Sequence, residues 1–371
     1  MVVVGKFFCF LHILSAKGDG KLDINNFPWL DLIDYPAFCV KDGAIIATNA
    51  LAEQRQLQVG MGIGEIVTEQ QDIYETFESG NLYLNINVCG IPCPASVVRT
   101  RECDIFHLRR TEDDASLQAL ALAASQLRIP LANLMTVTDQ MFSGMETNAQ
   151  TSQINQNLYR LLRIVSNMSD AEEYSHSGKA GMQTADLTAL MAEIMEKAQS
   201  FFTSTDIALD YNGPVVSVFS VVNPEKIERA IYNLLSNAAK FSKAGSTVSA
   251  ALIAKENRLI FTLCNTNATD LPKQNFWQQY RRAPGLEDPS RGLGLGMTLA
   301  SAVAAFHGGS ILVDNPAADQ TRITMTIPIV KENADNLRST IVRMGDYAGG
   351  RDKGLIEFSE VLPTEIYQNI N

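Results

Sequence analysis

A chain of 371 residues, 46% hydrophobic and 19% charged, is long enough for two or three domains that each bury a core, and its composition excludes a disordered protein. Its net charge of −11 excludes nucleic acid as a general partner, because neutralising phosphates takes clustered Lys and Arg, yet it leaves room for a local phosphate pocket. No run approaches the length of a membrane-spanning helix, about 20 apolar residues. Six scattered cysteines in mostly apolar, strand-like surroundings fit reduced thiols in a cytoplasmic protein. Cys89, Cys93, Cys103 and His107 can be assembled on paper into a metal site, but their spacing matches no common zinc pattern.

Residues 1–26 form an N-terminal segment whose apolar opening is interrupted by Lys6 and His12 and lacks a small-residue cleavage site, so it reads as a strand or docking helix rather than a signal peptide. Residues 27–110 read as a small α+β domain. A short helix precedes strands at 37–40 and 44–48, joined by the turn Lys41-Asp42-Gly43, and an Asp-Gly pair between apolar runs is a hairpin signal. LYLNINVC, ASVVRT and DIFHLRR supply three further strands. This order, with Asn49-Ala50 directly after the second strand, resembles a PAS domain, the common sensory module of signalling proteins. The resemblance implies a module that binds a small ligand or only dimerises.

Residues 111–178 read as a helical hairpin. Thr111 and the acids after it suit a helix start, and Pro130 is expected to kink the helix that spans 112–145. The second helix, 153–171, carries Ile154, Leu158, Leu161, Leu162, Ile164 and Val165 as a broad apolar stripe. One hairpin cannot bury both stripes, so pairing with a second copy into a dimeric four-helix bundle is the natural solution. Within the first helix, Ser125-Gln126-Leu127-Arg128-Ile129-Pro130-Leu131 resembles the phosphoacceptor motif of sensor histidine kinases, which runs His, acid, Leu, Arg, any, Pro, Leu. In that family the imidazole attacks the γ-phosphate while the acid orients it and takes its proton. Here Ser125 stands at the acceptor position and Gln126 at the acid. The four histidines, His12, His107, His176 and His307, all lie outside that helix.

Residues 179–330 alternate helix and strand. The stretch KIERAIYNLLSNAAKFS, 226–242, places Ile227, Ala230, Ile231, Leu234, Leu235, Ala238 and Phe241 on one helical face, with Asn233 and Asn237 stacked along its edge and Lys240 one turn later. Two carboxamides and a lysine bordering a buried stripe suit the wall of a pocket for a hydrated cation and a phosphate chain. Downstream, Gly292, Gly294 and Gly296 flank Leu293 and Leu295 ahead of a helix, where glycines let backbone N–H groups approach phosphate. In this order the two motifs resemble those of the histidine kinase, gyrase and Hsp90 ATPase superfamily, over roughly residues 183–330. The resemblance implies an α/β two-layer sandwich that binds Mg²⁺ and ATP. Asn237 would ligate Mg²⁺, Asn233 would lie beside it, and Lys240 would contact phosphate. Gly292, Gly294, Leu295 and Gly296 would underlie the triphosphate, FWQQYRRAPGLEDPS would be a lid with Arg281 or Arg282 on phosphate, and Phe241 would adjoin the nucleotide. Asn265 stands where the family carries an adenine-binding Asp, and the glycines that follow that Asp are absent. Residues 331–371 run past the usual end of this domain; GLIEFSEVLPTEIY reads as a strand and a Pro-bounded tail packed on it, with no chemistry assigned.

The sequence reading is therefore a soluble, homodimeric, histidine-kinase-like signalling protein that binds Mg²⁺-ATP. A non-catalytic regulator that pairs with a response regulator or a true kinase, and a kinase with Ser125 as acceptor, are the alternatives.

Overall fold

The computed structural model describes residues 27–268, 295–330 and 350–368, apart from 28, 34, 109–110, 143–147 and 177–180. The sequence expectations for the N-terminal segment, the lid with Arg281 and Arg282, Gly292, Gly294 and residues 331–349 lie outside them. The chain divides into two compact units between Asp113 and Asp114.

In the first unit, β1 (Ala37–Lys41) and β2 (Ala44–Thr48) form the expected hairpin, with Asp42 at φ 50° and Gly43 at φ 79° in the left-handed geometry that a tight primed turn needs. Three short helices follow, α1 (Ala50–Gln54), α2 (Ile63–Ile66) and α3 (Gln71–Thr76), then β3 (Asn81–Val88), β4 (Ile91–Arg99) and β5 (Asp104–Leu108). The antiparallel order is β2-β1-β5-β4-β3. Asn49 organises one end of this sheet. Its buried carboxamide caps α1 by accepting from Ala52 N–H (2.9 Å), accepts from Ala37 N–H (3.1 Å) and donates to Tyr35 O (2.8 Å).

Two long helices follow, α4 (Thr111–Phe142), all but its first three residues in the second unit, and α5 (Ala149–His176). The helix α4 runs through Pro130 without a break, so the expected kink does not interrupt it; Pro130 is exposed. Leu122, Leu127, Ile129, Leu134, Val137 and Met141 are exposed along α4. Next come β6 (Gln183–Asp186), α6 (Leu187–Thr203, capped by Asp186), β7 (Ala208–Asn212) and β8 (Phe219–Val222), which pairs with β6. The helix α7 (Pro224–Phe241) starts with Asn223 as cap and proline at its first position, the favoured arrangement. The hairpin β9 (Thr247–Lys255) and β10 (Arg258–Thr266), α8 (Leu295–Phe306), β11 (Ser310–Asp314) and β12 (Gln320–Pro328) complete a sheet ordered β11-β12-β10-β9-β7, in which only the β7–β9 pair is parallel. Leu259, Phe261 and Leu263 alternate inward along β10 beneath α7, so helices over a sheet enclose the core.

The segment expected to be a terminal strand is instead a short helix, α9 (Lys353–Glu357), followed by a 3₁₀ turn, Thr364–Tyr367. Five apolar-rich residues do not distinguish strand from helix by period, and here Asp352, whose side chain accepts from Leu355 N–H (3.1 Å), starts a helix. Among the described residues no helix is long and apolar enough to cross a membrane, and no group of three His, Cys, Asp or Glu is placed to hold a metal ion.

Candidate nucleotide site

Hydrophobic burial fixes the roll of α7. Ile227, Ala230, Ile231, Leu234, Leu235 and Ala238 face the sheet and are almost fully buried. Phe241, expected on that face, is 40% exposed, because it closes the helix where the chain turns away. At this end the helix is stitched to β10: Ala268 N–H donates to Phe241 O (2.9 Å) and Lys243 N–H to Thr266 O (2.8 Å). The end of α7 therefore adjoins the strand end that carries Asn265. Asn265 is buried and donates to Asn267 Oδ1 (3.0 Å), and the Asn267 amide donates to Thr321 Oγ1 (3.1 Å) and Asp319 O (3.1 Å). Asn265, expected at a base-recognition position, is thus joined through its amide nitrogen to a ladder of carboxamides.

The two carboxamides of α7 meet the start of α8. A Cβ on Gly296 would stand 2.3 Å from Asn233 Oδ1 and 3.3 Å from Asn237 Nδ2, so only glycine allows this approach. Asn233 is fully buried, yet among the described residues its Oδ1 has no hydrogen-bond partner, and neither does Asn237 Nδ2. Leaving such groups unpaired costs about 1–3 kcal/mol each, which marks a place where a bound group completes the site. The open Asn233 oxygen, and the Asn237 oxygen once that amide is turned, are the kind of ligand that suits a hard cation or its waters. We expect Gly296→Ala to clash with the held Asn233 side chain and to lower stability by about 1–3 kcal/mol in a denaturant melt; a loss below about 0.5 kcal/mol would mean that the approach is not tight.

The opposite face of α7, away from the sheet, is covered by the tail. Glu357 is fully buried between two guanidiniums: Arg163 Nε of α5 at 3.2 Å and Arg229 Nε of α7 at 3.3 Å. The same carboxylate accepts from Asn233 Nδ2 (3.2 Å), and Ser236 Oγ donates to Glu357 O (2.8 Å). One turn on, Glu360 pairs with Lys240 Nζ at 2.7 Å and Arg163 Nη1 at 3.4 Å. Burial alone would raise the Glu360 pKa, but Arg163 and Lys240 outweigh it and hold the carboxyl below its ordinary 4.5. Phe358 seats the segment against Phe201, Phe202 and Tyr232, with ring centroids 5.2, 5.9 and 6.4 Å away. Sequence reasoning missed this cluster. Its signal was present as a charge inside each of three apolar runs (Arg163, Arg229 and Glu357), since buried charges occur paired.

Ser125 and Gln126 lie on α4, both exposed. Ser125 Oγ donates back to Leu122 O (2.8 Å), an ordinary intrahelical bond. Leu295 begins α8.

Residues 222–331 match the family described as histidine kinase-, DNA gyrase B- and HSP90-like ATPase. The chain carries that ATPase domain. It is also related to sensor histidine kinases. Sensor histidine kinase WalK of Bacillus subtilis is 22% identical over 340 residues, which is 87% of this chain and 54% of that protein. The circadian input-output histidine kinase CikA of Synechococcus elongatus is 26% identical over 62% of this chain and 32% of its own length. The chain thus spans about half or less of these relatives. Among solved structures it is similar to full-length ShkA in complex with AMPPNP (17% identity, 58% of this chain, 47% of that chain, TM-score 0.46) and to the mycobacterial sensor histidine kinase MprB (22% identity, 41% and 99%, TM-score 0.34).

Proposed function

We propose that this chain is a two-component-type signalling protein whose ATPase domain binds Mg²⁺-ATP and whose helical hairpin does not accept phosphate by the usual histidine chemistry. The observation that carries the first half is the pair of open carboxamide atoms on Asn233 and Asn237 beside Gly296, inside a domain of the ATPase family. Carboxamide oxygen and nitrogen are interchangeable in assignment, so either residue can turn an oxygen toward a cation. On this reading Asn237 ligates Mg²⁺, Asn233 lies beside it, Lys240 meets phosphate, and Phe241 and Asn265 lie toward the base. On the same reading Gly292, Gly294, Leu295 and Gly296 are phosphate-binding residues and Arg282 is a phosphate contact.

The second half rests on Ser125. Its hydroxyl is held by its own helix and the neighbouring Gln126 has no basic group, so neither member of the pair supplies an activated nucleophile. The exposed apolar side chains of α4 support pairing of the hairpin with a second copy or a partner kinase. The five-stranded antiparallel sheet of the first unit, with its short helices between β2 and β3, supports the PAS-like reading. A response regulator remains the partner class for the hairpin, and the protein acts in the cytoplasm.

The test is a thermal melt with and without Mg²⁺-ATP. At a ligand concentration 100 times Kd, binding stabilises by about 2.7 kcal/mol, a shift of several degrees for a unit of this size. Asn237→Ala should abolish the Mg²⁺-dependent part while leaving the ligand-free melt in place. No shift at millimolar nucleotide would refute binding, and a full shift in Asn237→Ala would refute the metal role. Acid-stable phosphate incorporated into the protein would instead favour Ser125 as acceptor.

A further inference from the structure

The α7 side chains Asn233 and Lys240, which the nucleotide reading assigns to the metal and the phosphates, already have partners in this structure. Both partners are carboxylates from one short segment: Glu357 on Asn233 and Glu360 on Lys240. Each carboxylate also reaches Arg163 on α5, so the segment that covers α7 fastens the hairpin to the ATPase domain. The seat is built for this segment. Gln156 Nε2 donates to Leu362 O (2.7 Å), Arg160 Nε to Ser359 O (2.9 Å), and Tyr367 OH to Leu355 O (2.8 Å).

We propose that residues 350–368 are an intramolecular competitor of nucleotide phosphate, which holds the ATPase domain against α5 until Mg²⁺-ATP displaces Glu360 from Lys240. The inference rests on the Mg²⁺-ATP reading above. Its physical basis is like-charge exclusion. Lys240 Nζ lies 2.7 Å from one carboxylate oxygen, so a phosphate on the same ammonium would sit within a few ångströms of Glu360, in a half-buried setting where solvent screens poorly. The two anions do not share that position without loss. Mutual exclusion then makes the coupling reciprocal: whatever tightens the tail weakens nucleotide binding, and nucleotide loosens the tail by the same factor.

The test uses the full chain and Mg²⁺-ATP. Glu360→Gln removes the competing charge from Lys240, and Phe358→Ala withdraws the anchor without altering Asn233, Asn237 or Lys240. Both should raise affinity for Mg²⁺-ATP, Glu360→Gln several-fold and Phe358→Ala ten-fold or more. Glu365→Gln neutralises an exposed acid of the same tail and should change affinity less than two-fold, which separates contact from general charge. In the unaltered protein, Mg²⁺-ATP should speed hydrogen exchange of the Phe358 and Leu362 amides, which are bonded within the tail at 2.9 and 3.0 Å. Should Phe358→Ala fail to fold, Glu360→Gln and the exchange measurement still decide. Affinities within two-fold of the parent, or exchange that slows with nucleotide, would make the tail a static brace and overturn the proposal while nucleotide binding stands. Absence of binding in the parent and all variants would instead remove the nucleotide reading, and the proposal with it.

Discussion

Replacing Glu357 with alanine is expected to destabilise the protein by about 3–5 kcal/mol and to lower its melting temperature by roughly 10 °C. The carboxylate is fully buried, and it is the shared partner of Arg163 and Arg229, whose side chains are only 7% and 3% exposed. Arg229 keeps Asn167 Oδ1 at 3.0 Å after the change, but a neutral amide does not balance its charge. The loss therefore comes from two buried guanidiniums that each lose their shared carboxylate, Arg163 keeping only the longer pair with Glu360 at 3.4 Å, rather than from the pair's own net attraction, which desolvation largely cancels. This distinction is measurable. Exchanging all three residues for apolar ones (Arg163→Met, Arg229→Met and Glu357→Leu together) should recover most of the stability that the single substitution removes. A single Glu357→Ala variant that melts within about 3 °C of the parent would show that the cluster does not hold the tail.

The second large effect is on acid stability, through His307. Its Nε2 accepts from Asn223 N–H (2.9 Å), the cap of α7, and its Nδ1 donates to Val303 O (2.7 Å), so the ring is neutral and ties the end of α8 to the start of α7. Burial pushes its pKa down to about 4, with the Val303 carbonyl opposing and the Lys226 ammonium assisting. Because the folded pKa lies below the unfolded value of 6.5, the unfolded chain binds more protons between them. The stabilisation is complete above pH 6.5 and lost as pH falls toward 4, a change of about 3 kcal/mol. Glu360 adds to the loss at lower pH, since its depressed pKa gives stability that is present above 4.5 and disappears as the carboxyl protonates. Urea melts across pH 7 to 4 should show falling stability, and His307→Gln, which keeps an acceptor and a donor without titrating, should flatten the slope between 6.5 and 4. An equally steep slope in that variant would assign the effect elsewhere.

Those two results concern parts of the chain that differ in how far sequence reveals them. The helix α7 was legible because its apolar positions repeat at 3.6 residues and its two asparagines fall four apart; the structure then rolled it as that period requires, apart from the terminal Phe241. The β1–β2 turn was legible because Asp-Gly names its own backbone angles. Pro130 does not end α4, since a single missing donor on an exposed face leaves the helix continuous. The tail was misread for a different reason. IEF alternates like a strand over too few residues to arbitrate, and the partners that make it a helix lie 194 and 128 residues away at Arg163 and Arg229. Local pattern carries no information on pairings of that span.

The ATPase-family match ends at residue 331, and the bonds of Glu357 begin beyond it. A fragment cut at that boundary would keep every residue by which the domain is recognised and lose the counter-ion of two of its arginines, together with the ring that fills the space among Phe201, Phe202 and Tyr232. A piece expected to fold as this unit does therefore includes the tail and α5 as well as the matched residues.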